Sequence, residues 1–153
     1  MTRSRQVQLL ALAGSAGLLL GALAFQYLGG MAPCALCILQ RWPHLVALLA
    51  GAGLVWAGPW ALLGALGAGA SGAIGVYHTG VERDWWEGPA SCTSGGDLSG
   101  LSGQELLDQI MSAPVVRCDE VPWEMLGLSM ASWNAVLSFG LAGLWLVSLR
   151  LRG

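Results

Sequence analysis

The segment MAPCALCILQRW, residues 31–42, sets Cys34 and Cys37 three apart and follows them with Arg41, four residues beyond the second cysteine. Long apolar runs stand on both sides of it. A dithiol and a fixed positive charge therefore meet where the chain passes from one candidate membrane helix to the next. The runs on either side set the fold class, so they are read first.

A bilayer core needs about 20 apolar residues in helical form. Four segments meet or approach that: residues 7–28, which carry no charge, 33–57, 60–79 and 130–149. The second is apolar only from about Trp42, so its helix is expected to begin near Pro33, a residue suited to the first helical position. Pro43 should kink it about one turn after the dithiol. Glycine and alanine recur every four residues in the third run (Gly64, Ala68, Gly72 and Ala65, Gly69, Ala73), a pattern that lets membrane helices approach closely. Composition agrees: 55% of the 153 residues are hydrophobic and 10% charged, against about a quarter charged in soluble domains. No repeat is visible, and one membrane domain, residues 1–153, is expected. The first run is longer than the 7–15-residue core of a signal peptide and reads as a retained helix.

The charges are segregated. All nine acidic residues lie between Glu82 and Glu124, and there is no lysine and no basic face for nucleic acid. Arg3 and Arg5 precede the first run, and Arg150 and Arg152 follow the fourth, so both termini are expected in the cytoplasm. AGPW, residues 57–60, is then a cytoplasmic turn, and residues 29–41 and 80–129 face outward. Each of these outer segments holds two of the four cysteines.

Disulfides persist on the oxidising side of a membrane. Three pairings of Cys34, Cys37, Cys92 and Cys118 are formally possible. Cys34 and Cys37 are the natural local pair, because residues three apart on a helix are neighbours. So short a bridge constrains little chain, which points to a redox role. A helix N-terminus and a cation such as Arg41 both favour a thiolate. Arg41 alone would read as an interfacial anchor. A Cys92–Cys118 bridge by itself would read as a stabilising one, worth about 3–4 kcal/mol. Between these two, SGQELLDQIM carries Ser102 and Glu105 in capping-box spacing and an apolar stripe of Leu106, Leu107, Ile110 and Met111, a short amphipathic helix for the membrane surface.

Two dithiols, one at the membrane edge and one on an outer loop, can pass electrons by thiol–disulfide exchange. CALCI lacks the histidine of a haem-attachment motif and no nucleotide motif is present, which leaves a lipid-soluble quinone as acceptor. A four-cysteine metal site is the competing reading. It is disfavoured because only one pair has the short spacing of a zinc knuckle, and no metal ligands are assigned. Trp85, Trp86, Trp123 and Trp133 read as an interfacial belt, and His44 as structural.

PCALCILQR (33–41), YHTGVE (77–82), GPASC (88–92), RCDEVPW (117–123) and ASWN (131–134) together resemble the disulfide bond formation protein B (DsbB) family. The cysteine order, C-x-x-C first and the loop pair second, also matches; in the vitamin K epoxide reductase family the loop cysteines come first. The resemblance implies an all-α, four-transmembrane-helix bundle in the bacterial inner membrane, with a long periplasmic loop carrying a short amphipathic helix. It implies reoxidation of a periplasmic DsbA-like thioredoxin-fold oxidase and transfer of electrons to ubiquinone or menaquinone. By the same resemblance Cys92 takes the partner's thiolate, Cys118 is its loop partner and exchanges with Cys34, and Cys37 meets the quinone beside Arg41. His78 matches a family position near the quinone.

Overall fold

A computed structural model describes residues 1–51, 60–89, 92, 102–112 and 116–151. Within these the elements are α1 (Arg3–Tyr27), α2 (Ala35–Leu49), α3 (Trp60–Glu82), α4 (Gly103–Ser112), β1 (Glu124–Met125), β2 (Leu128–Ser129) and α5 (Met130–Arg150). The helices α1, α3 and α5 are long and apolar enough to cross a membrane, and α2 is a shorter apolar helix. The fold is an all-α membrane bundle of four helices. The expected continuation of α2 to residue 57, and most of the AGPW turn, lie outside the described residues.

The helix ends follow local chemistry. α1 begins before its uncharged run because the Thr2 hydroxyl caps it, accepting from Arg5 N at 3.4 Å. α5 is capped in the same way by Ser129, whose Oγ accepts from Ser132 N at 3.2 Å. α2 starts two residues later than its proline suggested. Cys34 is the N-cap, and its sulfur accepts from Cys37 N at 3.2 Å, which leaves Pro33 outside the helix. α3 runs past Thr79 to Glu82, since Gly80 and Val81 are buried and the Glu82 carboxylate accepts from Ser129 Oγ.

α3 is the central helix, packed on α2 and α5, while α1 packs on α5 and α2. Its small residues set how close these neighbours come. A Cβ on Gly67 would lie 2.7 Å from Pro43 O, and one on Gly75 would lie 3.0 Å from both Ala131 O and Ala135 N. Gly64 is covered by the indole of Trp145, which is 1% exposed. Gly64, Ala68 and Gly72 are all buried, so that row packs between helices. The second row divides: Ala65 is buried, Gly69 half-buried and Ala73 exposed. Rows offset by one residue point about 100° apart on a helix, so only one of them can stay in the seam.

At one end of the bundle Ser4 Oγ donates to Ser148 O at 2.8 Å and Gln8 Nε2 to Ser148 Oγ at 3.3 Å, so the start of α1 meets the end of α5. At the other end β1 and β2 form a small antiparallel hairpin in front of α5. Its two-residue turn has positive φ at Leu126 (55°) and Gly127 (76°), as a type I′ turn demands. α4 opens on the expected capping box: Glu105 N donates to Ser102 Oγ at 3.4 Å, and Ser102 N returns to Glu105 Oε2 at 2.8 Å. The Ser102 hydroxyl, which donates to Glu105 Oε2 at 2.6 Å, and after it that backbone bond hold the exposed Glu105 carboxyl below its usual range. Of the apolar stripe on α4, Leu107 and Met111 are exposed; the side chains of Leu106 and Ile110 lie outside the description.

Candidate active site

The site is built where the N-terminus of α2 meets the end of α3 and the loop cysteines. Cys92 and Cys118 form a disulfide with Cα atoms 5.0 Å apart, and both are fully buried. Cys118 N donates to Cys92 O at 3.2 Å, and Cys92 N to Pro89 O at 2.7 Å, so the bridge is held by backbone as well as sulfur. Cys34 and Cys37 are free, with sulfurs 2.6 Å apart. One apolar cluster contains Cys34, Cys92, Cys118, Leu36 and Val81, with Cys37 and Val116 against it.

Cys34 Sγ, Cys118 Sγ and the ring of His78 all lie within 4.8 Å of one another. A disulfide sulfur is not a thiolate donor, so these three could face a metal ion only with Cys118 reduced. Cys34 stands outside α2 as its cap. The hydrogen bond to Cys37, with burial and the neighbouring sulfur's charge, pushes the Cys34 thiol up. Beside Cys118, Arg117 forks onto Asp119, with Nε 2.9 Å from Oδ1, and holds that carboxyl down.

Cys37 faces the other way. It lines a cavity of about 440 Å³ enclosed by α1, α2, α5 and the β hairpin. The walls include Leu18, Phe25, Met31, Trp123, Trp133 and Leu137, and the polar contribution comes from Gln40, Arg41, His44 and Asn134. Phe25 and Trp123 pack with ring centroids 5.3 Å apart, and Trp133 Nε1 donates to Met125 O at 3.1 Å, tying the hairpin to α5. Trp123 and Trp133 thus belong to the cavity. Trp85 and Trp86 are largely exposed, Trp86 stacking on Tyr77 over Gly80. Arg41 is half-buried; its Nη1 donates to Gln26 Oε1 at 2.6 Å, and its Nε is buried without a partner.

His78 is not among the residues that line this cavity. Its Nε2 lies 3.6 Å from Cys34 Sγ and 3.9 Å from Glu82 Oε1, and its Nδ1 lies 2.8 Å from Gln40 Nε2. From there a chain of polar side chains crosses the bundle. Gln40 Nε2 also donates to Leu36 O (3.2 Å), and Gln40 Oε1 accepts from Asn134 Nδ2 (2.7 Å). Asn134 Nδ2 also reaches Ser71 O and Oγ, while Ser71 Oγ donates to Gln40 O at 2.9 Å. Asn134 Oδ1 faces His44 Nε2 at 3.2 Å, and Ser138 Oγ lies within 3.3 Å of both.

Backbone carbonyls only accept, so Leu36 O and Ser71 O fix which end of each amide carries hydrogen. Gln40 then donates to His78 Nδ1, and His78 carries its proton on Nε2, toward Cys34. Gln40, Asn134 and Glu82 were not singled out as site residues from sequence. Gln40 and Asn134 do fall inside the stretches PCALCILQR and ASWN, but an isolated amide in an apolar run gives no spacing signal.

A helical membrane bundle that seats two cysteine pairs against each other at one end belongs to the class of membrane disulfide oxidoreductases. The comparisons narrow this. The family model described as Disulfide bond formation protein DsbB matches residues 4–148, and the chain belongs to that family. It is 34% identical to a Disulfide bond formation protein B of Verminephrobacter eiseniae over 99% of this chain and 88% of the relative. With that of Xanthomonas oryzae pv. oryzae it shares 35% identity over 92% and 86%, and with that of Stutzerimonas stutzeri 31% over 90% of each. No solved structure matches the chain significantly.

Proposed function

We propose that this protein reoxidises a periplasmic thioredoxin-fold (DsbA-like) dithiol oxidase and delivers the electrons to a membrane quinone, ubiquinone or menaquinone. It does so at the periplasmic face of the bacterial inner membrane, with both termini cytoplasmic. One observation carries this reading: the Cys34–Cys37 pair stands between the loop disulfide, which Cys34 approaches, and an apolar cavity, which Cys37 lines.

The partner's thiolate attacks Cys92 Sγ, the Cys92–Cys118 bond breaks, and Cys118 leaves as a thiolate. Cys92 is buried, so its sulfur must first be uncovered for this attack. The partner's second thiol resolves the mixed disulfide and departs oxidised. Cys118 attacks Cys34 of a closed Cys34–Cys37 bridge and releases Cys37 as a thiolate beside the cavity. Cys92 then displaces Cys34 from Cys118, which restores the loop disulfide and leaves Cys34 and Cys37 reduced. Two electrons and two protons have moved inward. His78 serves the Cys34 side of this exchange, its Nε2–H stabilising negative charge on that sulfur, and reaches the cavity only through Gln40.

The cavity fits a quinone head. Its walls are apolar, and two of its lining residues have buried polar atoms with no partner among the described residues, Arg41 Nε and His44 Nδ1. A quinone held there supplies the oxidant, taking two electrons and two protons as Cys34 and Cys37 close. The Arg41 guanidinium stabilises negative charge developing beside it.

The test is quinone reduction, followed by absorbance, with a reduced DsbA-type partner and a short-chain ubiquinone. Activity is expected in the wild type and lost in Cys92→Ser and Cys37→Ser. Near-normal rates in either variant would refute the relay.

A further inference from the structure

We propose that His44 makes the cavity prefer hydroquinone over quinone: its Nδ1 accepts a hydrogen bond from a hydroquinone hydroxyl, a bond that a quinone carbonyl has no proton to make. This rests on the quinone reading above and assigns a role to a residue that the sequence presents as structural.

The argument is one of tautomer. Asn134 turns its NH₂ toward Ser71 O and Gln40 Oε1, both acceptors, so the atom facing His44 is the acceptor Oδ1. His44 Nε2, 3.2 Å away, must therefore carry the ring proton. Ser138 Oγ donates to the same Oδ1 and is free to accept from Nε2. Among the described residues no acidic side chain lines the cavity, and Arg41 precedes His44 by three residues on the same helix, so a second ring proton finds nothing there to offset its charge. Nδ1 is left with a bare lone pair. His44 is 2% exposed and lines the cavity, and Nδ1 is buried without a partner among the described residues. It is the only polar atom this ring can offer a ligand.

Arg41 Nε–H can donate equally to a carbonyl or to a hydroxyl oxygen, so it holds both redox forms. His44 is satisfied by one form only. The chain from His44 through Asn134 and Gln40 to His78 thus fixes, by its donor polarity, which product the cavity retains. A tenfold preference for hydroquinone corresponds to about 30 mV for a two-electron couple, in the direction that draws electrons from the dithiol.

The test measures binding rather than turnover. Full-length protein carrying Cys34→Ser and Cys37→Ser, which cannot exchange electrons with the ligand, is titrated anaerobically with ubiquinone-1 and with its hydroquinone. Quenching of Trp123 and Trp133, both in the cavity wall, reports binding. His44→Leu should weaken hydroquinone binding about tenfold and change quinone binding less than twofold. His44→Gln, whose amide replaces only Nε2, should show the same loss and decides the matter if the leucine variant does not fold. His44→Asn, whose Oδ1 stands near the place of Nδ1, should recover part of the preference. Equal weakening of both forms, or no change in either, would overturn the inference while leaving the quinone reading intact. Absence of quenching by either form before His44 is changed would overturn the quinone reading and this inference with it.

Discussion

Replacing Gln40 and Asn134 by leucine, singly and together, tests whether the polar chain beneath the dithiol holds α2, α3 and α5 in register. Gln40→Leu removes the 2.8 Å contact to His78 Nδ1 and the 2.7 Å bond from Asn134 Nδ2, leaving the first buried and unmatched and the second with Ser71 alone. Asn134→Leu strands Gln40 Oε1 and takes Oδ1 from both His44 Nε2 and Ser138 Oγ, which keep only each other at 3.1 Å. An orphaned buried polar group costs about 1–3 kcal/mol in a soluble core. Interhelical bonds within membranes average about 0.6 kcal/mol and reach about 1.7, because the unfolded chain finds other partners in the bilayer. Each of these residues satisfies several groups on three helices at once, so the upper end applies: about 1.5–3 kcal/mol for each single change. The double variant removes both members of the shared bond and should be less damaged than the two losses combined, by about 1.5 kcal/mol. Reversible unfolding of the oxidised protein in mixed micelles, titrated with SDS and followed by tryptophan fluorescence, gives the four stabilities of the cycle. A coupling below about 0.5 kcal/mol, within the range of ordinary additivity, would mean that the two amides are independent and the chain is not a unit.

Cys118→Ser should accumulate a partner–Cys92 mixed disulfide, visible on non-reducing gels, because Cys92, left without its bridge, attacks the oxidised partner's disulfide and no Cys118 thiol remains to displace the partner; free turnover in that variant would break the proposed order. Arg41→Gln should slow quinone reduction by about one to two powers of ten while disulfide exchange at Cys92 continues, since even part of the roughly 4 kcal/mol of a 4 Å charge pair at an effective dielectric near 20 suffices. Arg41→Lys should be milder, as it keeps the charge and loses the planar fork; wild-type-like kinetics in both would return Arg41 to the role of a headgroup anchor. Gly80→Ala should destabilise the end of α3 by about 1–3 kcal/mol, because the new methyl would meet the Trp86 ring, whose Nε1 is held 2.8 Å from Tyr77 O; amide exchange of residues 77–86 reads this directly, and unchanged protection would show the ring free to move.

The helical membrane bundle was legible because it follows from hydrophobicity, a property that adds along the chain and needs no partner. The helix ends were less so, since they are set by single hydrogen bonds. Thr2 carries α1 back to Arg3, and Ser129 both caps α5 and meets the Glu82 carboxylate at the end of α3. The capping box of α4 was visible because both of its members lie within one turn of sequence. The β1–β2 hairpin was not. Its strands are two residues each, too short for alternation to register, and its turn puts a leucine at positive φ where glycine or asparagine would have announced it.

The candidate site divides along the same line between local and long-range information. C-x-x-C, with an arginine one turn on, is a local pattern, and it draws attention to Cys34, Cys37 and Arg41 before any fold is known. The side to which each sulfur turns is a different kind of fact. It depends on Cys34 capping α2, which directs its sulfur back toward the loop disulfide, while Cys37, one turn along, lines the cavity between α1 and α5. His78 and Arg41 then stand on opposite sides of one dithiol, although residue type and depth alone would have set them together. Among the described residues, a contact 38 apart in sequence, His78 to Gln40, and another 94 apart, Gln40 to Asn134, join the two sides. Amides suit that connection, because each one passes on hydrogen-bond polarity without taking a charge into the bilayer. The direction of polarity is set at Leu36 O and Ser71 O, two carbonyls that no sequence motif could reveal.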